Sequence, residues 1–126
     1  MLVPDDLRYA ETHEWIRPQG AAGTVGITDH AQAELTDVVY VELPQVGAAF
    51  QAHQAVAVVE SVKAASDIYS PVGGEVVAVN SELESSPALV NTDPYGAGWL
   101  FKIKISNPAE ISSLKTAADY RSQIGA

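Results

Sequence analysis

Cysteine is absent from the 126-residue chain. That excludes a disulfide framework, a thiolate nucleophile and any Cys-ligated zinc or iron–sulfur centre, so thiol chemistry can enter only on a bound or attached group. Cations are scarce as well: 7 Lys and Arg stand against 16 Asp and Glu, for a formal charge of −9. Such a balance repels phosphate backbones and anionic headgroups, which excludes a basic nucleic-acid footprint and argues against membrane docking. Long hydrophobic runs are missing too. The longest, Val38 to Val41 and Ala55 to Val59, fall far short of the roughly 20 residues a membrane span needs. Nor does the N-terminus resemble a signal peptide. These absences predict a cytoplasmic protein of bacterial type, with a mitochondrial-matrix chain stripped of its transit peptide as the alternative.

What is present suits one domain spanning residues 1–126, since domains most often run to about 100–150 residues. A chain of this size buries about two-thirds of its unfolded surface, enough for a core without staples. The cations are also unevenly placed. Between Pro18 and Phe101 stands a single one, Lys63, among ten acids; the others (Arg8, Arg17, Lys102, Lys104, Lys115, Arg121) lie near the ends.

Short Val/Ile/Tyr-rich runs broken by Gly, Pro and Asn predict strands over Glu14–Arg17, Gly23–Ile27, Val38–Leu43, Ala55–Glu60 and Gly74–Asn80. Asp29 with Gln32 three residues later predicts the cap of a short helix over residues 29–35. Residues 81–94 read as loop with a helical turn. Trp99, Phe101, Ile103 and Ile105 alternate with Leu100, Lys102 and Lys104 as a half-buried strand. Asn107, Pro108 and Glu110 predict the start of a C-terminal helix, its apolar face formed by Ile111, Leu114 and Ala118, with Arg121 in phase and Ile124 close behind. The runs Ala55–Glu60 and Gly74–Val79 are alike and flank Lys63, which suggests two related halves pairing as a hairpin with the lysine at its turn. His13, His30 and His53 show no metal-like spacing, and Trp15, Trp99 and Phe101 read as core.

The small residues Ser61, Ala64, Ala65 and Ser66 leave the Lys63 amine open to a modifying enzyme. The stretch Glu60-Ser61-Val62-Lys63-Ala64-Ala65-Ser66-Asp67 with Ser70-Pro71-Val72-Gly73-Gly74-Glu75-Val76 closely resembles the lipoylation segment of glycine cleavage H proteins. Tyr9, His13-Glu14-Trp15, Gly26-Ile27-Thr28-Asp29-His30-Ala31-Gln32, Val41-Glu42-Leu43-Pro44, Pro94-Tyr95, Gly98-Trp99 and Lys102-Ile103-Lys104 match the same pattern in the same order. A biotin carrier is disfavoured, because Val62 and Ala64 flank the lysine where that family usually has methionines.

The resemblance implies a mainly β fold, a barrel-sandwich hybrid of the lipoyl/biotinyl-carrier kind with a short helix in its N-terminal half and one at its C-terminus. It implies lipoic acid in amide linkage on Lys63, in a carrier that is not itself an enzyme. Such a carrier takes the aminomethyl group of glycine from a pyridoxal-phosphate-dependent glycine decarboxylase to a tetrahydrofolate-dependent aminomethyltransferase. Dihydrolipoyl dehydrogenase then reoxidises the arm, and lipoate-attaching enzymes install it. The chain is expected to act as a monomer, with no resident metal. A role as lipoyl donor to other lipoyl-dependent complexes is the alternative. Glu14 and Asp67 match positions that the family uses to hold the loaded amine, with Thr12, Ile27 and His30 as further lining candidates. Three departures stand out. Gly73 replaces the Ser of many members, which is expected to loosen the turn. Glu34 stands where some carry His, so an imidazole is not expected there. Gly47–Gln54 lacks Lys and is unusually apolar.

Overall fold

The computed structural model describes residues 1–126. Its strands are β1 (Arg8–Tyr9), β2 (Glu14–Gln19), β3 (Ala22–Ile27), β4 (Val38–Glu42), β5 (Ala49–Phe50), β6 (Ala55–Ser61), β7 (Ala65–Tyr69), β8 (Gly74–Val79) and β9 (Phe101–Ile105). Helix α1 (Asp29–Leu35) follows β3, a 3₁₀ turn (Ser81–Glu84) and α2 (Leu89–Thr92) precede β9, and α3 (Ala109–Ser112) and α4 (Ala117–Ile124) close the chain. One sheet has the order β1-β2-β3-β9-β8-β5 and the other β4-β6-β7, and every pairing is antiparallel. The two sheets form a sandwich rather than a closed barrel. No helix is long and apolar enough to cross a membrane.

Strand periodicity sorts the core. Successive side chains on a strand face opposite ways, so β2 sends Ile16 to a cluster with Val25, Val41, Val59, Ile68, Phe101 and Ile103. It sends Trp15 to a second cluster with Tyr9, Tyr95 and Tyr120. The same alternation puts Glu14 on the Ile16 side, between the sheets. In β3, Gly26 sits opposite Trp15 in register, and a Cβ on Gly26 would lie 2.6 Å from Trp15 Cζ2. The indole is pinned, its Nε1 donating to the carbonyls of Ile27 and Pro94 at 3.0 and 3.1 Å. Gly26→Ala should therefore displace Trp15 and destabilise the fold by roughly 1–3 kcal/mol. Urea denaturation followed by tryptophan emission reads this directly, and an unchanged midpoint would mean that the indole yields freely.

Several expectations are corrected. The N-cap of α1 is Thr28, whose hydroxyl accepts from Ala31 N; Asp29 is the first helical residue and accepts from Gln32 Nε2 at 2.7 Å. Thr28 takes the cap because its backbone is still extended. The C-terminal helix is two short ones. Lys115 exchanges backbone hydrogen bonds with Tyr9 in both directions, at 2.9 and 2.8 Å, which interrupts the helix until Thr116 caps α4. The break shifts the phase: Ala117 and Tyr120 are buried, whereas Ala118 is exposed. Leu100, placed on the polar face from alternation, is fully buried because β9 begins only at Phe101. Gly73 does not loosen its turn: its N–H donates to Glu110 Oε1 and its carbonyl accepts from Ser106 N, at 2.9 and 3.1 Å.

Candidate functional site

Lys63 stands at the tip of a hairpin, though the arms differ from those expected. β6 pairs with β7, with Glu60 opposite Ala65 and Val59 opposite Ser66. The run Gly74–Val79 lies in the other sheet beside β9, so the likeness of residues 55–60 and 74–79 marks no paired halves. Composition does not mark Ala65–Tyr69 as a strand, because Ala, Ser and Asp are weak β-formers. What holds them extended is the ladder to β6 and the burial of Ile68.

Three residues, Val62 to Ala64, connect the arms. Ser61 closes this turn: its N–H donates to Ala64 O at 2.7 Å, while its hydroxyl accepts from Ala64 N at 3.2 Å and reaches Ala64 O at 3.1 Å. Val62 N donates to Asp37 O at 3.1 Å, tying the tip to the segment before β4. The lysine is thus presented on a fixed base, exposed together with Val62, Ala64 and Ala65.

A groove of about 340 Å³ begins at Lys63 and runs between the hairpin and α1. Its walls include Ala64, Ser66, Asp67 and Ile68 from the hairpin side, Ala31, Glu34 and Leu35 from α1, and Thr12, His13 and Ile27. Lys63, Asp67, Thr12 and Ile27 therefore share one cavity. Glu14 does not line it. The carboxylate is only 1% exposed, accepting from the Thr12 hydroxyl through Oε1 and from Tyr69 N through Oε2 at 3.0 Å. Thr12 thus links the exposed groove to a buried acid. Burial pushes the Glu14 carboxyl up to about 7, against the opposing pull of the Thr12 and Tyr69 hydrogen bonds.

His30 is not among the groove-lining residues; its Nε2 meets Glu34 Oε1 at 3.0 Å, one helical turn away. The fold gathers a third group there that no sequence spacing announced. His13 brings its ring 4.8 Å from that of His30, and ligating atoms of His13, His30 and Glu34 all lie within 4.8 Å of one another. His13 adopts a left-handed backbone, with φ 78°, and its Nδ1 lies 2.7 Å from the hydroxyl of buried Tyr120. Burial, then the neighbouring His30, lower its affinity for a proton, while Glu34 acts in the opposite sense. The imidazoles of this region thus come from positions 13 and 30 rather than 34. The His30–Glu34 pair is local to α1, whereas its meeting with the loop that carries His13 is a tertiary contact.

This arrangement fits an acylated lysine. The amine is exposed among small side chains, and a cavity with hydroxyl, carboxylate and aliphatic walls opens beside it. The family model described as the glycine cleavage H-protein matches residues 7–125. The glycine cleavage system H protein of Methylacidiphilum infernorum is 56% identical over 121 residues, covering 96% of this chain and 94% of that protein. Glycine cleavage system H protein 2 of Pseudomonas putida is 60% identical over 124 residues, covering 98% and 97%. A crystal structure of a glycine cleavage system H protein from Mycobacterium marinum superposes with a TM-score of 0.90 at 39% identity, covering 98% of this chain and 100% of that one. Sequence likeness and fold thus agree from one end of the chain to the other, around a hairpin with an exposed lysine at its tip: the chain belongs to the glycine cleavage H-protein family of lipoyl carriers.

Proposed function

We propose that residues 1–126 act as one carrier domain that holds a lipoyl group in amide linkage on Lys63. It would move the aminomethyl group of glycine from the pyridoxal-phosphate-dependent decarboxylase to the tetrahydrofolate-dependent aminomethyltransferase, and electrons to dihydrolipoyl dehydrogenase. The observation that carries this reading is the placement of Lys63 at a pinned hairpin tip beside a groove walled by Asp67 and Thr12. Lipoate supplies a dithiolane capable of disulfide exchange and group carriage, chemistry that a chain with no Cys lacks.

The chain's own residues then have distinct tasks. Lys63 forms the amide and gives up its charge. Asp67, exposed on the wall, accepts a charge-assisted hydrogen bond from a protonated amine entering the groove. Thr12 and buried Glu14 form a second polar point, where an approaching cation favours the ionised carboxylate over the protonated one. Ile27, Ala31 and Leu35 supply apolar wall that limits water.

The direct test is decarboxylase-catalysed exchange of labelled bicarbonate into glycine. Lipoylated protein should support it and unmodified protein should not. Absence of exchange despite full lipoylation, verified by intact mass, would overturn the shuttle in favour of a lipoyl donor.

Acylation also changes the field of the molecule. Removing the Lys63 cation takes the formal charge from −9 to −10 and leaves residues 18–101 with no Lys or Arg. Glu34 and Asp67 flank the groove, and Asp37 is exposed beside the tip. Association with the decarboxylase should therefore weaken several-fold between about 20 mM and 200 mM salt, as the screening length shortens to under 10 Å. Surface plasmon resonance at graded ionic strength measures this; salt-independent binding would contradict electrostatic steering.

A further inference from the structure

We propose that His13, His30 and Glu34 form a binding site for one divalent first-row transition ion of the zinc type, on the α1 side of the groove that opens at Lys63. The donor chemistry selects the ion class. Two imidazoles and one carboxylate suit zinc and its neighbours, whereas calcium and magnesium prefer all-oxygen sets.

The geometry is nearly assembled. His30 Nε2 and Glu34 Oε1 are 3.0 Å apart on one face of α1, and one ring nitrogen of each histidine and a Glu34 carboxylate oxygen fall within 4.8 Å of one another. Ligands at about 2.1 Å from a tetrahedral ion stand about 3.4 Å apart, so closing the set takes a side-chain movement of about an ångström. Glu34 is exposed and His30 half-buried, which leaves both free to make it.

His13 is the fixed member. Its carbonyl accepts from Thr28 N at 3.0 Å, and its left-handed backbone is disfavoured for a residue with a Cβ. Its Nδ1 is engaged by the Tyr120 hydroxyl, itself 2.7 Å from Thr28 Oγ1. A metal-ligating histidine characteristically has one ring nitrogen held by an outer partner, which orients the other toward the ion. The Tyr120–Thr28 pair is such a partner, and Nε2 of His13 is left for the metal. Three protein ligands leave a position open on a tetrahedral ion. Because His13 and Glu34 themselves line the groove, that position belongs to it.

The test is calorimetric titration of the full-length, chelator-stripped protein with Zn²⁺, with Mg²⁺ in parallel. We expect one Zn²⁺ per chain, no saturable Mg²⁺ binding, and at least tenfold weaker Zn²⁺ binding in His30→Gln and Glu34→Gln. Both positions lie on a helix with no buried residue, so these variants keep the fold, to be checked by circular dichroism. His13→Asn, whose side chain tolerates the left-handed backbone, should lose binding equally, and His53→Gln should leave it unchanged. Absent or non-stoichiometric Zn²⁺ binding, equal binding of Mg²⁺, or undiminished affinity in His30→Gln and Glu34→Gln would each overturn the site.

Discussion

Lys63→Arg should abolish lipoylation and reduce glycine–bicarbonate exchange to background while leaving the fold intact. The guanidinium is always protonated and does not serve as the acylated amine. The side chain is exposed on a turn whose hydrogen bonds run through Ser61, Ala64 and Asp37 rather than through residue 63. An exposed substitution of this kind changes stability by about 0.5 kcal/mol or less, so the melting temperature should move by no more than a few degrees. Intact-mass analysis of wild type and variant from lipoate-replete cells, followed by the exchange assay, separates attachment from folding. A variant that is still lipoylated, or still supports exchange, would show that another amine carries the group. Ser61→Ala makes a useful companion. It removes the hydroxyl that accepts from Ala64 N, loosening the presentation of Lys63 without touching the lysine itself.

The second large effect concerns Glu14 and pH. Folding takes this carboxyl from 4.5 to about 7 because it is buried between the sheets. The folded chain therefore holds the proton more tightly than the unfolded chain. The stability that goes with this is fully present below the unfolded value and is lost as the pH rises through the folded one. A displacement from 4.5 to about 7 corresponds to about 3 kcal/mol. Glu14→Gln removes the titration while preserving the shape, its amide oxygen able to accept from Tyr69 N and its amide nitrogen able to donate to Thr12. The variant should thus gain about 2–3 kcal/mol relative to wild type on going from pH 5 to pH 8. Urea denaturation of both proteins at the two values checks this. A constant difference would mean that Glu14 titrates as an ordinary exposed acid. The same substitution should impair carriage of the amine, since a neutral amide offers a cation less than a carboxylate does.

Legibility differed by residue for physical reasons. Lys63 stood out because charge is counted without knowing the fold, and its small neighbours were local. β2, β3, β4, β6 and β8 were readable because Val, Ile and Tyr at period two mark strands. β7 was not, since its residues are extended by pairing with β6 rather than by their own preference. Lys115 interrupts the C-terminal helix through a backbone pair with Tyr9, a partner more than 100 residues away; periodicity cannot register such a contact. Glu14 was singled out by resemblance; alternation with Trp15 gives the face it occupies but not its burial, because both faces of β2 are covered at this point. Only the facing sheet, through Tyr69 N, shows how its charge is received.

The sequence by itself determined what the chain's own atoms exclude. With no Cys, redox sulfur has to come from a bound or attached group, and a single cation, Lys63, stands among small residues in the middle of the chain. Composition reaches that far because it concerns which atoms exist; that Lys63 carries the group is what the family resemblance implies. The tertiary structure decided what those atoms face. Packing β2 against β7 buried Glu14 and raised its proton affinity. Laying α1 beside the hairpin made the groove and set Glu34 opposite Asp67. Folding the loop before β2 onto α1 brought His13 to His30 and Glu34. Proton affinity, cavity and donor cluster arise between segments distant in sequence, through burial and distances that no local pattern contains.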